Sequence, residues 1–171
     1  MKLYEAIAQK NLKKLRSVSA VLLFGAAAVM AVTMVLQHMP YRWIFQLVAL
    51  CMLGVAIFFI SRYIMKNYVY SVIASEDGST DLCVTEIQGR HTITVCRIGI
   101  SGIEEAITSD RADKSQSESV KKRIKSEKRK TYDYCGDMFG KKYICIFSQQ
   151  YGEPLAIKLS FDEKLLKILT E

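Results

Sequence analysis

The chain has 171 residues, half of them hydrophobic, and a formal charge of +7. That charge is unevenly placed: residues 1–67 carry eight Lys/Arg and one Glu, whereas residues 68–171 carry sixteen of each sign. A net-neutral domain lacks the electrostatic footprint of a nucleic-acid binder, so no nucleic-acid partner is expected. Cys51, Cys83, Cys96, Cys135 and Cys145 form no CxxC pair, which fits neither a disulfide framework nor a zinc ribbon.

Taken in chain order, residues 1–16 read as a basic amphipathic leader helix. Leu3, Tyr4, Ile7, Ala8, Leu12 and Leu15 fall on one half of a helical wheel and Lys2, Glu5, Gln9, Lys10 and Lys13 on the other. Residues 17–66 then hold two uncharged apolar runs, with spans at about 18–36 and 43–61. A hydrocarbon core needs roughly 20 apolar residues, so each run is long enough to cross and the pair predicts a transmembrane hairpin. The first run exceeds the core of a signal peptide and a second follows it closely, so no cleavage is expected.

Lys10, Lys13, Lys14 and Arg16 precede the first run and Arg62 and Lys66 follow the second, while the loop Gln37–Arg42 offers only Arg42. Basic flanks stay inside, which predicts a multi-pass cell-membrane protein with both termini cytoplasmic. Tyr41 and Trp43 stand where an outer aromatic belt would lie, and Tyr63 and Tyr68 near the inner one. A reduced cytosol suits five unpaired thiols. The spans hold no ionisable side chain, which speaks for an anchor rather than a transport path. Small residues such as Ala20, Gly25, Ala28, Ala49, Gly54 and Ala56 allow close helix packing.

From Tyr68 the apolar period changes from helical to two. Tyr68–Ser75, Asp81–Ile87 and His91–Ile98 read as strands, the last two joined by a two-residue turn at Gly89–Arg90. That register sets Leu82 and Val84 beside Ile93 and Val95, and places Cys83 directly opposite Cys96. Ser101–Ile107 fits a helical turn or a strand. Residues 108–130 are rich in Ser, Asp and Lys and read as a basic flexible insertion, disordered or weakly helical. Tyr143–Phe147 and Leu155–Phe161 are further strands around a turn at Tyr151–Pro154. A closing helix has capping-box spacing at Ser160 and Glu163, with Phe161, Leu165, Ile168 and Leu169 on one side.

Several hairpin-connected strands followed by one amphipathic helix resemble a pleckstrin-homology-like (PH-like) fold. The Y-x-Y-x-V at Tyr68–Val72, the turn Gly89–Arg90, the Y-D-Y at Tyr132–Tyr134 and the F-D-E-K-L-L at Phe161–Leu166 resemble small uncharacterised bacterial membrane proteins. The resemblance implies a two-span hairpin followed by a cytoplasmic PH-like domain over 68–171. The expected fold is therefore an α+β membrane protein: a two-helix hairpin plus an antiparallel β-rich domain with a C-terminal helix.

Seven basic side chains, Lys121, Lys122, Arg123, Lys125, Lys128, Arg129 and Lys130, lie within reach of an anionic leaflet or an acidic partner. Each is worth on the order of 1 kcal/mol at a charged lipid surface. Ser115, Ser117, Ser119 and Ser126 are positions where phosphate would weaken such contact. Cys83 and Cys96 form a candidate thiol pair and, with His91, the nearest approach to a metal or redox site; a third and fourth metal ligand would have to come from Cys135 and Cys145. No GxSxG, HExxH, Walker or GxGxxG pattern occurs, Glu104–Glu105 stand without a second acidic motif, and only His38 and His91 are present. The expected role is a membrane-anchored interaction or regulatory module without catalysis, metal or cofactor. Its partners would be membrane lipids and a membrane or cytoplasmic protein. The competing expectations are a structural or assembly subunit of a larger membrane complex, and a thiol or metal sensor through Cys83 and Cys96.

Overall fold

The structure is a computed structural model, and it describes residues 2–35, 41–75, 78–150 and 152–170. The predicted outer loop with His38 falls largely outside the described residues, as do parts of the turns at 76–80 and 151–154. The chain is α+β and divides into two compact units, one helical (Asn11–Met65) and one β-rich, made of the residues up to Lys10 together with those from Lys66 onward.

The helical unit pairs α1 (Leu12–Val35) with α2 (Arg42–Phe59), the latter continuing as a π-helical turn over Ile60–Met65. Both are long and apolar enough to cross a membrane. Asn11 caps α1 by accepting the Lys14 N–H at 3.3 Å. The seam is built from small side chains: Ser19, Ala26 and Thr33 of α1 and Ala49 and Ala56 of α2 are buried. Gly25 lets Met52 approach, since a β-carbon there would stand 2.7 Å from its Cε. The outward faces, including Val21, Phe24, Val35, Leu50 and Phe58, are exposed and apolar.

The β-rich unit packs two four-stranded sheets against each other. The first has the order β1 (Lys2–Ile7), β2 (Lys66–Ala74), β3 (Thr80–Gln88), β4 (His91–Gly99) and is antiparallel throughout. The second has the order β5 (Ile103–Asp110), β7 (Lys142–Gln150), β8 (Glu153–Ser160), β6 (Lys130–Asp133). Its β6–β8 pair is parallel, an exception to the antiparallel expectation. Tyr70, Val72, Leu82 and Val84 of one sheet meet Ile144, Ile146, Ile157 and Leu159 of the other in one core. Alternation along each strand supplies these inward rows. α4 (Glu163–Thr170) adds Leu165 and Leu169 to the same core.

The residues read as a leader helix are split. Residues 12–16 do belong to α1, but Lys2–Ile7 is β1, paired with β2 in the register Tyr4↔Val72 and Ala6↔Tyr70. The apolar spacing satisfies either period, and a single isolated turn of helix is costly to nucleate, whereas β1 gains a ladder and buries Ala8. The β domain therefore starts before the helices and includes β1, so the expected boundary at 68 gives way to a domain interrupted by the hairpin.

Of the two expectations for the insertion, disordered or weakly helical, the helical one fits. The insertion holds the end of β5, helix α3 (Lys114–Ser126) and the start of β6. The cap of α4 is Asp162 rather than Ser160: its Oδ1 accepts the N–H groups of Lys164 at 2.9 Å and Leu165 at 3.1 Å. Ser160 instead ends β8, and its Oγ accepts the Gly136 N–H.

Candidate functional site

Helix α3 carries most of the predicted basic segment. Asp113 starts it, accepting the Ser115 N–H at 3.0 Å and its hydroxyl at 2.7 Å, and these bonds hold the carboxyl below its usual range. Val120 and Ile124, one turn apart, seat the helix on Tyr143, Cys145, Phe147 and Ala156 of the second sheet. Two apolar residues suffice because a guanidinium covers the remainder. Arg123 lies 4.4 Å above the Phe147 ring and Arg129 5.2 Å from the same centroid.

The seven predicted contact residues thus separate into two groups. Arg123 bonds Glu105 and Glu127. Arg129, its side chain only 6% exposed, pairs with Glu104 at 2.5 Å and with Glu127, and donates to the carbonyls of Ser148 and Leu155. Lys130 pairs with Glu153 at 2.5 Å. Glu104 and Glu105, which offered no motif in the sequence, are thus the counter-charges that hold this segment. The hydrogen bonds from Arg129 and Arg123 keep Glu127 ionised below its ordinary range.

Lys121, Lys122, Lys125 and Lys128 remain. All four are exposed, and among the described residues none has an ion-pair partner. By helical spacing Lys122 and Lys125 lie away from Val120 and Ile124, and Lys121 flanks them on the same side of α3. Lys128 follows in a left-handed conformation, φ 49°, which turns the chain so that the Arg129 N–H reaches the Ile124 carbonyl at 3.0 Å. Three of the serines noted as phosphate positions are already engaged, Ser115 with Asp113, Ser119 with the Gln116 carbonyl and Ser126 with the Arg123 carbonyl.

Cys83 and Cys96 do not come together as expected. The Gly89–Arg90 turn is as predicted, with Gln88 opposite His91, but a bulge at Val95 shifts the register beyond it. Val84 then faces Cys96 and Cys83 faces Arg97, so the two thiols point to opposite sides of the sheet. Ile93 lies before the bulge and keeps its expected place opposite Glu86, yet its side chain is exposed. Burial raises the pKa of both thiols, that of Cys96 to about 11, and Cys145 is likewise raised to about 11. Thiols on opposite faces of a sheet do not form a ligand pair. Among the described residues no group of three His, Cys, Asp or Glu is placed to hold a metal. A groove of about 370 Å³ on the helical unit is lined by Met30, Gln46, Ala49, Leu50 and Leu53, with only Gln46 polar.

Comparison with protein-family models, with curated proteins and with solved structures finds no match.

Proposed function

We propose that this chain is a membrane-anchored interaction module whose β domain offers the Lys121, Lys122, Lys125 face to an acidic partner protein at the cytoplasmic surface. The observation that carries the reading is four unpaired lysines in a domain whose other basic residues on this segment are neutralised. A rigid, charge-selected helix face costs little entropy to dock, which a flexible loop does not offer.

The membrane half of the reading rests on the exposed apolar faces of α1 and α2, which water would penalise and lipid would not. β1 precedes the helices and β2 follows them, and the two pair. Both ends of the hairpin therefore lie on one side of any bilayer it crosses. The basic flanks support a cytoplasmic position for that side. Two packed sheets sharing a core with a C-terminal helix support the PH-like resemblance, while the parallel β6–β8 pair and α3 are additions to it.

The partner we assign to the α3 face is an acidic protein. α3 begins beside the Arg111–Lys141 end of the domain and rises along the strands until Arg123 meets Glu105, opposite Phe147.

Capture from native membranes should recover an acidic protein with the wild-type chain, and lose it with Lys121→Glu/Lys122→Glu/Lys125→Glu. An identical set of captured proteins would remove the reading. A second reading, a subunit packed into a larger membrane assembly, is favoured by Ala27, Ala28, Ala31 and Gly54, which lie exposed off the α1–α2 seam. Detergent-extracted protein that sediments as a lone monomer would count against it.

A further inference from the structure

The end of the β domain from which the helices depart has an apolar and basic rim of its own. β1 ends at Ile7 and α1 begins at Leu12, and Lys66 opens β2 directly after Met65. Four residues on one strand and none on the other tie this end to the anchor. The loop between β6 and β7 belongs to it: a β-carbon on Gly136 would stand 2.9 Å from Ala8 Cβ and 3.3 Å from the Gln9 carbonyl. Arg111 fixes that loop by donating to the carbonyls of Asp137 and Met138. The Gly89–Arg90 turn lies at the same end, since Lys66 pairs with Gln88.

The loop presents two adjacent large apolar side chains to the outside, Met138 at 46% and Phe139 at 40% exposure. Ile7 is also exposed near this end. Arg90 and Lys141 are exposed at the same end of the domain, and Lys142 sits with its Nζ 5.7 Å from the Phe161 ring. Carboxylates at this end are engaged: Glu86 pairs with Lys66 at 2.8 Å, Asp110 accepts the Ala112 N–H at 2.8 Å and Asp137 the Phe139 N–H at 2.8 Å. A polar domain gains nothing in water from a Met–Phe pair at a loop tip on the same end as these cations. At a bilayer surface the same pair enters the acyl boundary while the cations meet phosphate.

We infer that the Met138–Phe139 loop inserts into the head-group region of an anionic bilayer, with Arg90, Lys141 and Lys142 on lipid phosphates. This contact is separate from the α3 face and would fix how the domain stands on the membrane. It rests on the membrane reading of α1 and α2, not on the acidic partner.

The full chain, carrying Trp43→Phe to remove its one native tryptophan, would be reconstituted into vesicles of phosphatidylcholine and phosphatidylglycerol. The phosphatidylcholine would be brominated in its acyl chains near the head group. Phe139→Trp and, independently, Met138→Trp should emit at shorter wavelength than Leu3→Trp, an exposed site toward the other end of β1. Both should be quenched by the brominated lipid about twofold more strongly than that control. Quenching should fall when phosphatidylglycerol is left out, and unchanged quenching would overturn the role of the cations. Protein that floats with the vesicles but shows Phe139→Trp and Met138→Trp no more lipid-quenched than Leu3→Trp overturns the loop insertion alone. Protein that does not float overturns the membrane reading and the insertion with it.

Discussion

Tyr4 Oη donates a 2.8 Å hydrogen bond to Asp162 Oδ1, joining residues 158 positions apart. The same oxygen caps α4, so the strand that precedes the helical hairpin is pinned to the last helix of the chain. Replacing Tyr4→Phe leaves the ring and removes this bond. The expected loss is about 1.5–3 kcal/mol, the range for a bond to a charged acceptor, measurable by denaturant titration.

The bond also predicts a pH dependence. Burial, together with Asp162, pushes the Tyr4 phenol up to about 12 from an ordinary value near 10. The folded state thus holds this proton longer than the unfolded state. Its contribution is complete below pH 10 and disappears as the pH rises through 12. Wild-type stability should therefore fall across that window more steeply than that of Tyr4→Phe. Burial raises Tyr70 as well, which supplies the slope that remains in the variant.

Gly136 tests the closeness of the β6–β7 loop to the end of β1. Gly136→Ala puts a methyl 2.9 Å from Ala8 Cβ, where neither neighbour is a flexible tip. Overpacking of this kind costs about 1–3 kcal/mol, so the melting temperature should drop by several degrees. Restoration by a compensating Ala8→Gly would tie the loss to that contact.

The two groups of basic residues on and after α3 should behave oppositely. Arg129→Met strips two carboxylates and two carbonyls of a donor in a nearly closed site, with an expected loss of about 3 kcal/mol. Lys122→Met, on the open face, should stay within about 0.5 kcal/mol. Lys128→Gly should raise stability by about 1 kcal/mol, because glycine takes the left-handed cap without a side-chain penalty. Thermal melts of the three variants decide all of these.

Thiol accessibility checks the bulge at Val95. Cys83 and Cys96 on opposite faces should form no disulfide under a mild oxidant, so mobility on a non-reducing gel should not change. Alkylation at neutral pH should be slow for Cys96 and Cys145, both raised to about 11, and should become fast on unfolding.

The helices were legible because their signal is compositional and needs no partner: a long uncharged run is apolar whatever it touches. The β3–β4 hairpin was legible for a similar reason, since Gly89 at φ 61° sets the turn and the turn sets the register. That register failed one residue beyond Thr94, where the Val95 bulge answers to packing of Cys96 and Ile98 over the core and leaves no local mark. β1 was misread because its partner strand lies beyond both helices, and a short window sees only the helical spacing of Tyr4, Ile7 and Ala8. α3 was hidden by its charge. Val120 and Ile124 are too few to declare a buried face, and the covering of Phe147 by Arg123 and Arg129 exists only once the second sheet is in place.

The placement of β1 ahead of the hairpin has a bearing on biogenesis. On the proposed membrane reading, those first residues leave the ribosome well before the strand they must join, which emerges only after both helices. The head cannot complete its first sheet until the translocon has released the pair with both flanks on one side. A chain that inserts only one helix strands its opening segment across the bilayer and leaves β2 with a bare edge, a marker that proteolytic surveillance can read.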